Sequence, residues 1–357
     1  MDTIRESVSG DKARLVLGTP ILSWLMLFGL VVMWGSSFGL TKVAIASIPV
    51  ETIVAARLAI AGIVLVAVLW ITGRRLPTDR RLWALFFVMA ILGNCLPFTL
   101  TSWGQTRVGS GLAGMLIAIT PIVTLLLSHF LVAGETITRM KLLGFILGFM
   151  GVAVLIGPEA ILHVGGAGSA LVAQLAIVIA AMCYAANTVI ARLCSVRDAV
   201  VVAVATTLAA NLIFAPFVMS SSISDPTGWS FSSLIAVVTL GVVSTGLAPL
   251  VFFRLIHDAG PTFVSLISYL VPLWATGIGV LFFDEVPSWS ALLALIVILA
   301  GIAISQTPKE VDMKGNRLPS ETESVDFAHR ANPVIIRDST IVRSGNEANA
   351  STTRNAA

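Results

Sequence analysis

Ten stretches of about 20 predominantly apolar residues, each the length a helix needs to cross bilayer hydrocarbon, leave this chain little choice of fold. They begin near Ile21, Thr52, Leu82, Gly109, Leu142, Ser169, Val200, Ser232, Thr262 and Ser290. Helices of about 20 residues would leave only about 8 for each connection, so no large extramembrane domain interrupts them. Charge is scarce in the same region. Residues 1–20 and 307–357 hold 20 of the 41 charged residues, leaving 21 across the 286 between. A soluble chain carries roughly 25% charged residues, whereas this one carries 11% and is 57% hydrophobic. So few charges could not cover a water-soluble fold, which excludes a soluble enzyme. The expected fold class is an all-α membrane protein.

The terminal segments differ from this body. Residues 1–20 form a short segment with Arg5, Lys12 and Arg14 ahead of the first span. That span is too long for a cleaved signal peptide and is expected to remain as the first helix. The tail, residues 306–357, mixes seven acidic with seven basic residues among Ser and Asn. It cannot bury enough apolar area to fold alone and is expected to be disordered.

Lys and Arg accumulate on the cytoplasmic side of membrane proteins. With ten spans and a cytoplasmic N-terminus, 19 of the 22 basic residues fall inside, Arg74, Arg75, Arg80, Arg81, Arg139, Lys141, Arg192, Arg197 and Arg254 among them. The outside loops hold only Arg107. Both termini are therefore expected in the cytoplasm, with the chain in the plasma (inner) membrane.

The two halves also echo each other at a spacing of 150 residues. Trp34 pairs with Tyr184, Lys42 with Arg192, Leu58 with Leu208, Leu116 with Leu266, Glu135 with Glu285 and Gly151 with Gly301. Pro121 and Pro272 are one residue off that register, Pro97 and Pro249 two. Each half then holds five spans, an odd number, so the second enters the membrane from the opposite side. The expected domains are residues 21–157 and 168–305, two inverted five-helix repeats. Such repeats are characteristic of secondary transporters that rock around a midplane site.

At these residues the chain resembles the EamA-type branch of the drug/metabolite transporter superfamily. The resemblance rests on MWGSSFGLTKVAI (33–45), AARLAIAG (55–62), TPIVTLLLSHFLVAGE (120–135) and KLLGFILGFMGVAVLIG (141–157). SYLVPLWATGIGVLFFDE (268–285) and LIVILAGIAI (295–304) echo them in the second half. The second half departs at Tyr184-Ala185, where a Trp-Gly-like pair would stand, and at Asp284-Glu285, which replaces Gly-Glu. The resemblance implies ten helices, cytoplasmic termini and movement of small metabolites, often export of amino acids or related compounds.

A substrate site is expected where matched helices are interrupted. Pro97 matches Pro249 and Pro121 matches Pro272, and each proline frees backbone groups that protein, water or ligand must satisfy. Uncharged polar and aromatic residues lie at similar depth: Trp34, Ser36 and Ser37 in span 1, Asn94 in span 3, and Tyr184 and Asn187 in span 6. Span 8 adds Ser244 and Thr245, and span 9 adds Ser265, Tyr269 and Trp274. Substrate would then sit between spans 1, 3 and 4 and their counterparts 6, 8 and 9. Asparagine is costly against lipid, so Asn94 and Asn187 should face inward, lining a cavity or tying helices together. Lys42 and Arg57 are placed toward the outer ends of spans 1 and 2, either as an electropositive mouth or snorkelling and pairing with Glu51. Glu135 and Glu285 are read as gate or helix-end residues.

Several classes find no support. There is no GxxxxGK[ST] phosphate loop, and the histidines at 129, 163, 257 and 329 form no HExxH. Cys95, Cys183 and Cys194 make no CxxC or disulfide framework. No catalytic residue, metal or cofactor is expected. A net charge of +3 without a clustered basic face excludes nucleic acid as a partner. The expected partners are the lipid bilayer and a small-molecule substrate, with a homo-oligomer left open. A sensor or scaffold, and more remotely an intramembrane enzyme, remain the alternative readings.

Overall fold

The structure, a computed structural model, describes residues 15–16, 19–132, 138–157, 168–194, 196, 198–220 and 228–306. Glu135 and the tail from residue 307 lie outside the described residues, as does the junction at 158–167. Among the described residues, apart from a two-residue antiparallel ladder, Leu15–Val16 with Thr19–Pro20, everything regular is helix.

The first half opens with α1 (Ile21–Ala44) and α2 (Val50–Ile71). The next span is composite: α3 (Arg80–Ala90), a widened π-helical turn at Ile91–Cys95, then α4 (Leu96–Gly104). Two shorter helices, α5 (Ser110–Ile117) and α6 (Thr120–Leu131), follow in line, and α7 (Arg139–Ile156) closes the half. The second half holds α8 (Gly168–Leu193), α9 (Ala199–Ser220) and α10 (Phe231–Thr239). A second π-helical stretch, Leu240–Leu247, joins α10 to α11 (Ala248–Val264), and α12 (Ile267–Phe283) and α13 (Trp289–Ser305) complete it.

Among the described residues eight helical spans, counting α3–α4, α5–α6 and α10–α11 as one each, are long and apolar enough to cross a membrane by length and composition. Two further apolar helices, α12 and α13, are 17 residues each, at the short limit for crossing. The ninth segment was expected to begin near Thr262. Its helix is shortened because Gly260 leaves helical geometry at φ 80° and a turn interrupts the chain at Ser265–Leu266. Side-chain caps set several starts. Asp79, Thr138, Ser230 and Ser288 accept from the backbone N–H of Arg81, Lys141, Ser233 and Ala291, satisfying donors that a helix start otherwise leaves open.

The helices turn large apolar side chains outward. Trp70 is 84% exposed, Leu281 77% and Ile63 71%, a surface that suits lipid rather than water. Inside, helices of the two halves pack on one another: α2 against α9, α5 against α12, and α7 against α13. The α7–α13 seam is the tightest. A Cβ on Gly301 would lie 2.7 Å from the Gly144 carbonyl oxygen and 2.9 Å from the Gly148 nitrogen, so only glycine permits the two backbones to approach this closely.

The prolines act differently in the two matched pairs. Pro97 and Pro249 each follow a π-helical stretch by a residue or two, in the first turn of α4 and of α11. A proline lacks the N–H and displaces the carbonyl behind it, which accounts for the widened turn ahead of each. Pro121 sits in the first turn of α6, just past the break at Ala118–Ile119. Pro272, by contrast, lies inside the continuous helix α12, so this pair does not make matching breaks.

Candidate functional site

A cavity of about 40 Å³ opens between the C-terminal halves of α1 and α4, the first turns of α2, the end of α5 and the middle of α8. Ser37, Phe38, Thr41, Arg57, Phe98, Thr101, Ser102, Gln105, Ile117 and Tyr184 line it. The helical period explains why α4 contributes so much. Phe98, Thr101, Ser102 and Gln105 follow i, i+3, i+4, i+7 and share one face.

Arg57 dominates the electrostatics. Of its two expected readings, an electropositive mouth or a side chain snorkelling or paired with Glu51, the second is overturned: Arg57 lies about two turns into α2 and is only 8% exposed. Among the described residues it is the one buried charged side chain. Its Nε donates to Thr245 Oγ1 at 2.6 Å, and its guanidinium carbon lies 3.8 Å from the centre of the Phe98 ring. The widened turn makes the first contact geometrically feasible. Thr245 Oγ1 donates back to the Leu240 carbonyl at 2.9 Å across that turn, leaving its lone pairs to Arg57. Lys42 stands above the cavity, its Nζ donating to the Gln105 carbonyl at 3.4 Å.

Other polar groups here lack partners. Gln105 is fully buried, yet neither its Oε1 nor its Nε2 makes a hydrogen bond, and the Thr101 hydroxyl is likewise unsatisfied. Buried groups of this kind are costly unless water or a ligand completes them.

Of the eleven residues expected to bind substrate, Ser37 and Tyr184 line the cavity, and Thr245 meets it through Arg57. Others tie helices. Trp34 Nε1 donates to the Ser244 carbonyl at 3.2 Å, and Ser244 Oγ returns a bond to the Met33 carbonyl at 2.8 Å. Trp274 Nε1 donates to Ser36 Oγ at 2.9 Å. These bonds fasten α1 to the second half.

Asn94 is half-buried within the first π-helical turn, and Asn187 packs across from it on α8. A Cβ on Gly93 would lie 2.6 Å from Asn187 Nδ2, so the glycine makes room for the amide, whose Oδ1 is buried without a partner. Ser265 and Tyr269 are half-buried and do not line the cavity; Tyr269 packs against the core around α5 and α12. Glu285 lies at the other end of α12. Its carboxylate accepts from Ser110 N at 2.7 Å, Ser110 Oγ at 3.0 Å and Gly111 N at 2.8 Å, closing the start of α5.

Thr41, Phe98, Thr101, Ser102, Gln105 and Ile117 are cavity residues that the sequence reading did not single out. The stripe on α4 was the available signal. Among the described residues no group of three or more His, Cys, Asp or Glu could hold a metal ion. The arrangement presents one buried cation, amide and hydroxyl groups, and aromatic faces, a set suited to holding a polar solute rather than to acid–base chemistry.

Comparison with known proteins agrees with this architecture. The chain is 28% identical over 290 residues to the uncharacterized transporter YvbV of Bacillus subtilis, spanning 79% of this chain and 91% of that one. It is 25% identical over 284 residues to protein PagO of Salmonella typhimurium, spanning 76% and 88%. A solved crystal structure superposes with a TM-score of 0.57 at 22% identity, over 80% of this chain and 96% of the other, a likeness of fold. The profile of the EamA-like transporter family matches twice, over residues 21–157 and 171–307. With a full repeat matched in each half, the chain belongs to the EamA-like transporter family.

Proposed function

We propose that the chain is a secondary transporter of the plasma (inner) membrane that exports a small polar metabolite, such as an amino acid or related compound, by alternating access. Ten spans form two inverted five-helix repeats, residues 21–157 and 168–305, with α12 and α13 as the last two. Both termini lie in the cytoplasm, as the loop charges favour. An inner-membrane address also fits the name of one relative, the uncharacterized inner membrane transporter YedA of Escherichia coli, 29% identical over 132 residues.

The observation that carries this reading is the pair of π-helical stretches. Ile91–Cys95 and Leu240–Leu247 fall at corresponding places in the two repeats, each just ahead of a proline. Widened turns of this kind concentrate at functional sites, and paired helix irregularities in two halves point to a transporter's binding region. The substrate region lies beside them, walled by spans 1, 2, 3, 4 and 6. The asparagines flank it, and spans 8 and 9 support it through Thr245 and the ties to α1.

The test is counterflow in liposomes carrying the purified full chain, against labelled amino acids, amines, nucleosides and sugars. Saturable exchange of one class above protein-free liposomes is expected. Failure of every compound to exchange would count against transport.

A further inference from the structure

The cavity is most informative at its charge. A guanidinium this deep in a helix meant for lipid is expensive unless something balances it. Among the described residues no carboxylate pairs with Arg57; its one hydrogen bond goes to the neutral Thr245. The Phe98 ring covers one face. Nε is engaged with Thr245, which leaves the two terminal nitrogens, the pair that fits the two oxygens of a carboxylate. Close by, on the same cavity wall, are Thr101 with an unpartnered hydroxyl and Gln105 with an unpartnered amide, the latter fully buried. A cation without a counter-ion and two polar groups without partners thus share one small space.

We propose that Arg57 is the recognition group for a small monocarboxylate, with Gln105 and Thr101 hydrogen-bonding the same bound anion. The charge balance selects the class. One buried positive charge is neutralised by one negative charge, whereas a phosphate dianion would need a second cation inside, and Lys42 is already turned to the Gln105 carbonyl. A ligand whose only charge is an amine cation has no acidic partner among the lining residues and is repelled by Arg57. The cavity's 40 Å³ accommodates a carboxylate head. The rest of the ligand must find space as the helices part.

As a statement of substrate class this rests on the transport reading, but its test reads binding directly. The thermal unfolding midpoint of the purified full-length protein in detergent is followed against rising propionate, lactate, propionamide, propylamine and inorganic phosphate. A ligand that binds only the folded state raises the midpoint with its concentration. Propionate and lactate are expected to raise it saturably, while propionamide and propylamine leave it unmoved. Arg57→Gln is expected to weaken the carboxylate response at least thirtyfold, as truncating one partner of a buried charge pair does. Arg57→Lys, which keeps the charge but not the fork, falls between.

Gln105→Leu provides a second variant should Arg57→Gln fail to fold. Removing an unpartnered buried amide leaves stability equal or better, so a purely structural Gln105 would leave the propionate response intact. A ligand-binding Gln105 loses about tenfold in affinity. Equal shifts from propionamide, a response from phosphate alone, no response to either carboxylate, an undiminished response in Arg57→Gln, or, where that variant does not fold, an undiminished response in Gln105→Leu would overturn the proposal. The two readings fail separately. Carboxylate binding without counterflow sinks transport alone, and counterflow undiminished in Arg57→Gln sinks the carboxylate site alone.

Discussion

Glu285→Ala tests how far one side chain joins the two halves. The carboxylate takes three hydrogen bonds from the start of α5, two of them from backbone N–H groups. Gly109, the residue that precedes this helix, supplies no side-chain cap, and Ser110 is fully buried. Water therefore cannot replace the lost acceptor at Ser110. A hydrogen bond to a charged group contributes about 1.5–3 kcal/mol net, and a buried donor left open costs about 1–3 kcal/mol. The three bonds share one carboxylate and do not add in full, so about 3 kcal/mol is expected for Glu285→Ala. Glu285→Gln should lose about half of that, because its amide oxygen can serve one side, either the two Ser110 donors or the Gly111 N–H, while its NH2 faces the other. The assay is equilibrium unfolding of the purified protein in mixed micelles, with Ser110→Ala and the double variant completing a cycle. A loss below about 0.5 kcal/mol for Glu285→Ala, or Gln no better than Ala, would refute the capping argument.

Gly301→Ala should cost about 1–3 kcal/mol in the same unfolding assay, because the added Cβ meets the α7 backbone and the Leu147 Cβ, none of which can rotate aside; a neutral result would mean the α7–α13 seam is looser than described. On the transport reading, Asn94→Ala and Asn187→Ala should each reduce counterflow at least tenfold while membrane abundance is unchanged, and full activity in both would remove the asparagine level from the substrate path. The Ser36→Ala, Ser244→Ala double variant loses two bonds between α1 and the second half, about 2 kcal/mol together. Maleimide labelling of Thr101→Cys in the cavity should then run about thirtyfold faster, and an unchanged rate would show that these ties do not hold the cavity shut.

The spans were legible because apolar length is a one-dimensional signal, and the hydrocarbon thickness converts it directly into helices. The prolines were legible too, but not what they do. Nothing in ILGNCLP or LGVVSTGLAP separates a widened turn from a simple kink, since that depends on which carbonyls neighbouring helices satisfy. Arg57 shows the other limit. A span expected to begin near Thr52 put it toward a helix end, whereas its depth depends on packing against Thr245, a residue 188 positions away. The stripe Phe98, Thr101, Ser102, Gln105 was readable at helical spacing, but weight on asparagines and aromatics at one depth passes over it. Those polar residues largely became ties: Trp34, Ser36, Ser244 and Trp274 satisfy one another across the two halves.

Those ties bear on how a protein of this kind could work. Sites for small molecules commonly occupy about 300–1,000 Å³, far more than the 40 Å³ seen here, so on the transport reading a metabolite would require the helices to part. The ties that fasten α1 to the second half are neutral. Trp34 to the Ser244 carbonyl, Ser244 to the Met33 carbonyl and Trp274 to Ser36 are each worth about 1 kcal/mol net. A latch of about 3 kcal/mol lies within what differential binding of a solute can overcome. Buried ion pairs in the same places would cost too much to separate on every cycle. The second half therefore contributes more to fastening α1 than to lining the cavity, and Arg57, the one buried charged side chain among the described residues, is itself bonded to the second half at Thr245, next to Ser244.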